Sequence, residues 1–312
     1  MNSPVALLFP GQGAQAVGMG VALAERLPAV AQWYARAEEA AALPIRRLLA
    51  EGPEEQLTRT EILQPCLLTV EIGAWLAVRE LADDPPVVGA AGHSLGEYAA
   101  LVAAGALDAA QAVAVVRARG RFMQQAVPAG LGGMAAVMGL DADLVAQQCE
   151  AASDEQTRVW LSNDNCPGQV VVSGHLAAID RVTPLLKDAG AKRVVPLKVS
   201  APFHCPLMQP AADALAAELD KLSCNDPQFP VIANCTARPY ADAADVRAGL
   251  IAQVVQPVRF REALLAIAEL HPDRLLECGP GNVLSGLARR TIGHILSSPA
   301  GTPEQIEGRR EE

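Results

Sequence analysis

A serine set between two glycines is the first place in this chain where residue types and spacing imply chemistry. Gly92-His93-Ser94-Leu95-Gly96 fits G-x-S-x-G, a turn that lifts a nucleophilic serine between a strand and a helix. The glycines have a physical reason. Such a turn is sharp, and side chains at the flanking positions would clash. The helix that follows aims its free N–H groups at the serine, where a developing oxyanion would be stabilised. A pattern of five residues also arises by chance, and the plain alternative is a serine that merely caps a helix. The apolar run Val87–Ala91 before the turn and the Ala-rich stretch Glu97–Ala104 after it favour the nucleophile.

A serine hydroxyl needs a general base, and five histidines are available. His93 adjoins Ser94, and a turn sends neighbouring side chains apart. His175 opens a helix, His271 sits in a Leu-His-Pro-Asp turn, and His294 is near the C-terminus. His204 lies in Ser200-Ala-Pro-Phe-His-Cys-Pro and is preferred as base, with an ordinary loop histidine as the alternative. One other motif calls for different chemistry. Gly11-x-Gly13-x-x-Ala16 after the run Val5–Phe9 formally fits the relaxed dinucleotide fingerprint. That unit requires a second strand ending in an acidic residue about 20 positions on, and residues 21–50 read as helix instead.

The elements that must hold these residues are an alternation of strands and helices. Val5–Phe9 reads as a buried strand running into Pro10-Gly11-Gln12-Gly13, followed by helical spacing over Val21–Ala42 and Pro65–Leu81. From about Gly130 to Val199 the order becomes strand, helix, strand, strand, helix, strand, the split-βαβ pattern of a ferredoxin-like unit. The fold expected is therefore α/β: a large α/β-hydrolase-like domain with a parallel-sheet core, formed by residues 1–129 and 200–296. Residues 130–199 form an inserted ferredoxin-like (βαββαβ) subdomain. Val283–Ile295 reads as the last helix, and residues 297–312, rich in Pro, Gly, Glu and Arg, as a disordered tail.

Composition narrows the function classes. With 51% hydrophobic residues in 312, the chain can bury a full core. No apolar stretch reaches the about 18–20 residues of a membrane span, and Pro4–Phe9 is too short for the core of a signal peptide. The seven cysteines are scattered and form no C-x-x-C pair, which argues against a disulfide framework and against a metal site. The expectation is reduced thiols in the cytoplasm. A net charge of −10 makes a nucleic-acid surface a poor fit.

The chain resembles the malonyl-CoA:acyl carrier protein transacylases of fatty acid synthesis and the related acyltransferases of polyketide synthases. The matching segments run in order: FPGQGAQ at Phe9–Gln15, QP at Gln64–Pro65, GHSLGEYAAL at Gly92–Leu101 and RGRFMQ at Arg119–Gln124. They continue with NDNCPGQVVVSG at Asn163–Gly174, APFHCPLM at Ala201–Met208, QPV at Gln256–Val258 and ECGPGNVL at Glu277–Leu284. Only the C-terminal tail lies outside the resemblance.

What the resemblance implies can be stated residue by residue. Ser94 is acylated, His204 is its base, and the main-chain carbonyl of Gln253 orients the imidazole in place of an acid. The amides of Gln12 and Leu95 hold the oxyanion. Arg119 pairs with the free carboxylate of the malonyl group, a task suited to a planar guanidinium; read without the resemblance, a solvated helix arginine fits equally well. Phe203 resembles the bulky residue of malonyl-selective polyketide acyltransferases and would crowd an α-methyl group, although many fatty-acid-synthesis members carry a small residue there. Asn165 either touches the pocket from the small subdomain or forms a turn. The implied reaction is ping-pong transfer from malonyl-CoA to the phosphopantetheine thiol of an acidic holo acyl carrier protein, by a monomer with no permanently bound cofactor. Lys187, Lys192, Arg193, Lys198, Arg289 and Arg290 are candidates for the carrier's docking surface. The rival readings are an editing hydrolase using the same serine and histidine, and a non-catalytic scaffold that binds carriers.

Overall fold

A computed structural model describes residues 3–308. Strand β1 (Val5–Phe9) is buried along its whole length. Val5, Leu7 and Phe9 enter one apolar core while Ala6 and Leu8 enter another, the two-residue alternation of a strand covered on both faces. Five helices follow: α1 (Val21–Arg26), α2 (Pro28–Ala41), α3 (Ile45–Glu51), α4 (Glu54–Leu57) and α5 (Thr60–Leu81). The helical stretch read over Val21–Ala42 is split at Leu27, because Pro28 opens a helix more readily than it continues one. Next come β2 (Val87–Gly92), α6 (Gly96–Ala103) and α7 (Ala109–Gln125), the last capped by the Asp108 side chain on the Gln111 amide at 2.9 Å.

The small subdomain contributes β3 (Gly132–Met138), α8 (Ala142–Ala152), β4 (Val159–Cys166), β5 (Gln169–His175), α9 (Leu176–Asp188) and β6 (Arg193–Pro196). Its sheet is antiparallel in the order β4-β5-β3-β6, the ferredoxin-like arrangement, with its own apolar core under α8 and α9. After a short 3-10 turn come α10 (Gln209–Leu219), β7 (Val231–Ile232), α11 (Ala243–Val255), α12 (Phe260–Ala268), β8 (Arg274–Glu277) and α13 (Val283–Thr291). The large sheet is parallel throughout, in the order β7-β2-β1-β8-β9, where β9 is Leu296–Pro299. The small sheet is tied to the large domain at the start of α12, where Asp164 on β4 donates its amide to the Val258 carbonyl at 2.9 Å and pairs with Arg261 at 2.8 Å.

Two expectations need correction. Helix α5 is long and apolar enough to cross a membrane, yet 83% of its apolar window is buried inside the protein, against α2 and α7. It is a core helix of a wide α/β domain. The tail is also ordered as far as it is described. β9 extends the large sheet, and α14 (Pro303–Glu307) packs against α5 with Ile306 fully buried. The sequence hid this because β9 is an edge strand of polar, half-exposed residues and α14 is anchored by few apolar side chains. Residues 309–312 lie outside the described residues. Ile306→Ala should cost about 2–4 kcal/mol, as for other buried aliphatic truncations, and lower the midpoint of a denaturant melt. An unchanged midpoint would contradict the docked tail.

Candidate active site

Ser94 sits just past the C-terminal end of β2, with α6 starting two residues later. The turn between them is as tight as the glycine spacing requires. A Cβ on Gly92 would lie 1.9 Å from the Gly96 carbonyl carbon, and one on Gly96 would lie 2.1 Å from the Phe9 carbonyl oxygen. Ser94 itself adopts φ 52°, a left-handed conformation that costs a non-glycine residue about 1–3 kcal/mol. Asn234 holds it there. Its Oδ1 accepts from the Ser94 amide at 2.7 Å, while its Nδ2 donates to the Gly92 carbonyl at 2.7 Å.

Of the five histidines, His204 meets the serine. Its Nε2 lies 2.8 Å from Ser94 Oγ, and its Nδ1 lies 2.8 Å from the main-chain oxygen of Gln253. A carbonyl only accepts, so Nδ1 carries the proton and Nε2 is left free to take one from the serine. Burial, together with the nearby charge of Arg119, pulls the His204 pKa down to about 3, so the imidazole is neutral and ready as a base. His93 lines the same cavity without bonding the serine hydroxyl: its Nε2 bonds Asn165 Oδ1 at 2.9 Å and its ring meets Phe260 edge-on. His175 bonds Arg158 in the small sheet, and His271 and His294 are exposed.

Arg119 is the unusual group. It is 1% exposed. Nη1 donates to Gln64 Oε1 at 2.8 Å, and Nη2 to Gln253 Oε1 at 2.8 Å and Ser94 Oγ at 3.2 Å. Its Nε is buried with no partner, and the guanidinium lies 5.6 Å from the centre of the Tyr98 ring. Every acceptor it uses is neutral. Arg117 and Arg121, its neighbours on α7, bond the Ala41 carbonyl and lie against Phe122 near the surface. A buried guanidinium hydrogen-bonded only to neutral groups is expensive; the Glu97 carboxylate offsets part of its charge from beyond Gln253, and an anion bonded to it directly would offset more.

These groups line one cavity of ≈ 170 Å³ between the large domain and the small sheet. Ser94, His204, Arg119, Gln12 and Leu95 border it from one side; Asn165, Met134 and Val171 border it from the other, and Phe203 closes part of it. The amides of Gln12 and Leu95 donate to nothing among the described residues. Gln253 is buried behind Arg119 rather than in the cavity wall.

The sequence profile of the acyl transferase domain family matches residues 6–303. The chain belongs to that family. Its curated relatives include the malonyl CoA-acyl carrier protein transacylase of Bacillus subtilis, 43% identical over 305 residues, covering 98% of this chain and 96% of that one. Among solved structures, the malonyl CoA-acyl carrier protein transacylase of Coxiella burnetii superposes with a TM-score of 0.96 at 40% identity, covering 100% of this chain and 98% of that one. A malonyl-transacylase solved in complex with its type II PKS acyl-carrier protein superposes with a TM-score of 0.93 at 40% identity, covering 97% and 98% of the two chains.

Several residues of this acyltransferase site were not picked out from the sequence. Gln64 holds Arg119, Asn234 splints the serine turn, and Glu97 is buried beneath both. A carboxylate in the first turn of an Ala-rich buried helix was the one available signal for Glu97.

Proposed function

We propose that this protein transfers a malonyl group from malonyl-CoA to the phosphopantetheine thiol of an acyl carrier protein through a malonyl ester of Ser94. His204 Nε2 takes the Ser94 proton as Oγ attacks the thioester carbonyl. The amides of Gln12 and Leu95 receive the oxyanion. The tetrahedral intermediate expels coenzyme A, and the proton on His204 passes to the departing thiolate. In the second half the carrier thiol gives its proton to His204 and attacks the ester, and Ser94 leaves with that proton. Throughout, Arg119 holds the malonyl carboxylate. The reading requires no permanently bound cofactor.

The observation that carries this reading is the buried Arg119, 3.2 Å from Ser94 Oγ and bonded only to neutral acceptors. It suits an acyl group ending in a carboxylate, and the names of the relatives agree. The site is complete within one chain, as a monomer needs, and the seven free cysteines fit the cytoplasm. The same reading takes residues 1–129 with the chain from 200 through β9 and α14 as the catalytic domain, and 130–199 as the subdomain that closes over the substrate. An acidic carrier would meet Lys198, which is exposed between the cavity-lining residues Leu197 and Val199. Lys187, Lys192, Arg193 and Arg289 are exposed as well, whereas Arg290 is engaged by Gln169 and the Pro167 carbonyl.

The direct test is transfer of labelled malonyl from malonyl-CoA to holo carrier. Label on the carrier supports the reading, and free malonate in its place would replace it with a hydrolase. Phe203, buried at the cavity wall, should exclude an α-methyl group. Phe203→Ser is expected to raise kcat/KM for methylmalonyl-CoA relative to malonyl-CoA by about ten- to a hundredfold, the scale of one methyl group in a tight pocket. An unchanged ratio would remove Phe203 from specificity.

A further inference from the structure

Behind the serine and histidine lies one charged group that the proposed chemistry leaves unused. Glu97, in the first turn of α6, is fully buried. Burying a carboxylate is costly unless donors satisfy it, and here three do. Oε1 accepts from the Asn234 amide at 2.9 Å and from the Tyr240 hydroxyl at 2.7 Å, and Oε2 accepts from Gln253 Nε2.

Gln253 is where the rest of the site converges. Its main-chain oxygen orients His204, its Nε2 also donates to the Ser94 carbonyl at 2.8 Å, and its Oε1 accepts from Arg119 at 2.8 Å. A side-chain amide has one donating end and one accepting end. Glu97 and the Ser94 carbonyl are both acceptors, so the NH2 faces them and the oxygen is left for Arg119.

We propose that Glu97 is a positioning residue whose carboxylate sets the Gln253 amide and, through it, holds Arg119 in register with Ser94 for an acyl group that carries a carboxylate. This deepens the malonyl-transfer reading and rests on it.

Glu97→Gln keeps the shape and reverses one contact. The orientation that still accepts from both the Asn234 amide and the Tyr240 hydroxyl turns the new NH2 toward Gln253 Nε2, another donor, so Gln253 is displaced or flipped and Arg119 loses its acceptor. Protonation of Glu97 has the same sense. The ionisable groups facing it are Tyr98 on its own helix, Arg119 on α7, and Cys235 and Tyr240 on the segment after β7. Burial raises its pKa from the usual carboxylate range to about 7, with the hydrogen bonds and Arg119 opposing the rise. The carboxylate form therefore prevails above pH 7 and is lost as pH falls.

The experiment compares kcat/KM for malonyl-CoA and acetyl-CoA with the same holo carrier. In Glu97→Gln the malonyl-to-acetyl ratio is expected to fall about tenfold, the scale of one misplaced hydrogen bond to a charged group. In the unmutated protein the ratio should fall as pH drops through about 7. His204 serves both substrates and cancels in the ratio. If the variant does not fold, Glu97→Asp, which keeps the charge but shortens its reach to Gln253, takes its place and is expected to lower the same ratio. Equal losses for both substrates would overturn the positioning role. An unmutated protein that does not transfer malonyl would instead overturn the reading beneath it.

Discussion

Ser94→Ala is expected to fold as the unmutated protein does and to lose transfer of every acyl group by about four orders of magnitude or more, the usual consequence of deleting a nucleophile. Removing Oγ takes away the atom that both His204 and Arg119 address. The main-chain bonds of the turn, from the Ser94 amide to Asn234 and from Asn234 to Gly92, do not involve Oγ and remain. Alanine also tolerates the left-handed φ no worse than serine does, so circular dichroism and the melting midpoint should change little. Steady-state transfer to holo carrier is the measurement. Substantial residual transfer would require another nucleophile in the same cavity, which His93 also lines, and would contradict the role of Ser94.

Arg119→Leu is expected to exchange one specificity for another. The lost interaction is a charged pair in a buried site, worth about 2–5 kcal/mol, so kcat/KM for malonyl-CoA should fall by about one and a half to three and a half orders of magnitude. Neutral acyl groups gain, because leucine offers apolar surface where the guanidinium stood. A second effect follows from charge. Arg119 helps depress His204, so its removal lets the imidazole pKa rise from about 3, with burial still holding it below the ordinary value. The base acts when neutral and is lost as pH falls through its pKa. The acid limb of the variant's pH profile should therefore lie at higher pH than that of the unmutated protein. Equal losses for malonyl and acetyl groups, with an unmoved acid limb, would contradict the role of Arg119.

How far the site could be read from sequence depended on how local each constraint is. The Ser94 turn was legible because Gly92 and Gly96 are demanded by contacts within a few residues and with the adjacent strand. His204 was preferred among five histidines from its loop, but an ordinary loop histidine stayed open until the resemblance assigned it, since its partner lies 110 positions away. Arg119 was indistinguishable from a solvated helix arginine, because nothing in its own helix records that Gln64 and Gln253 enclose it. Glu97 and Asn234 went unread for the same reason, with contacts 137 to 156 positions apart. In the fold, β1 and the βαββαβ order announced themselves through apolar runs and alternation. β9 and α14 did not, being short pieces held by an edge pairing and a single buried isoleucine.

The central claim is that the acyl group rests on Ser94 and leaves for a thiol. The most direct test is the intact mass of the protein after mixing with malonyl-CoA alone, then after addition of holo carrier. The expected result is a malonyl-sized increment that maps to Ser94, persists in buffer, and disappears as the carrier gains the same increment. An increment on another residue, or one that water removes as fast as the carrier does, would contradict the account.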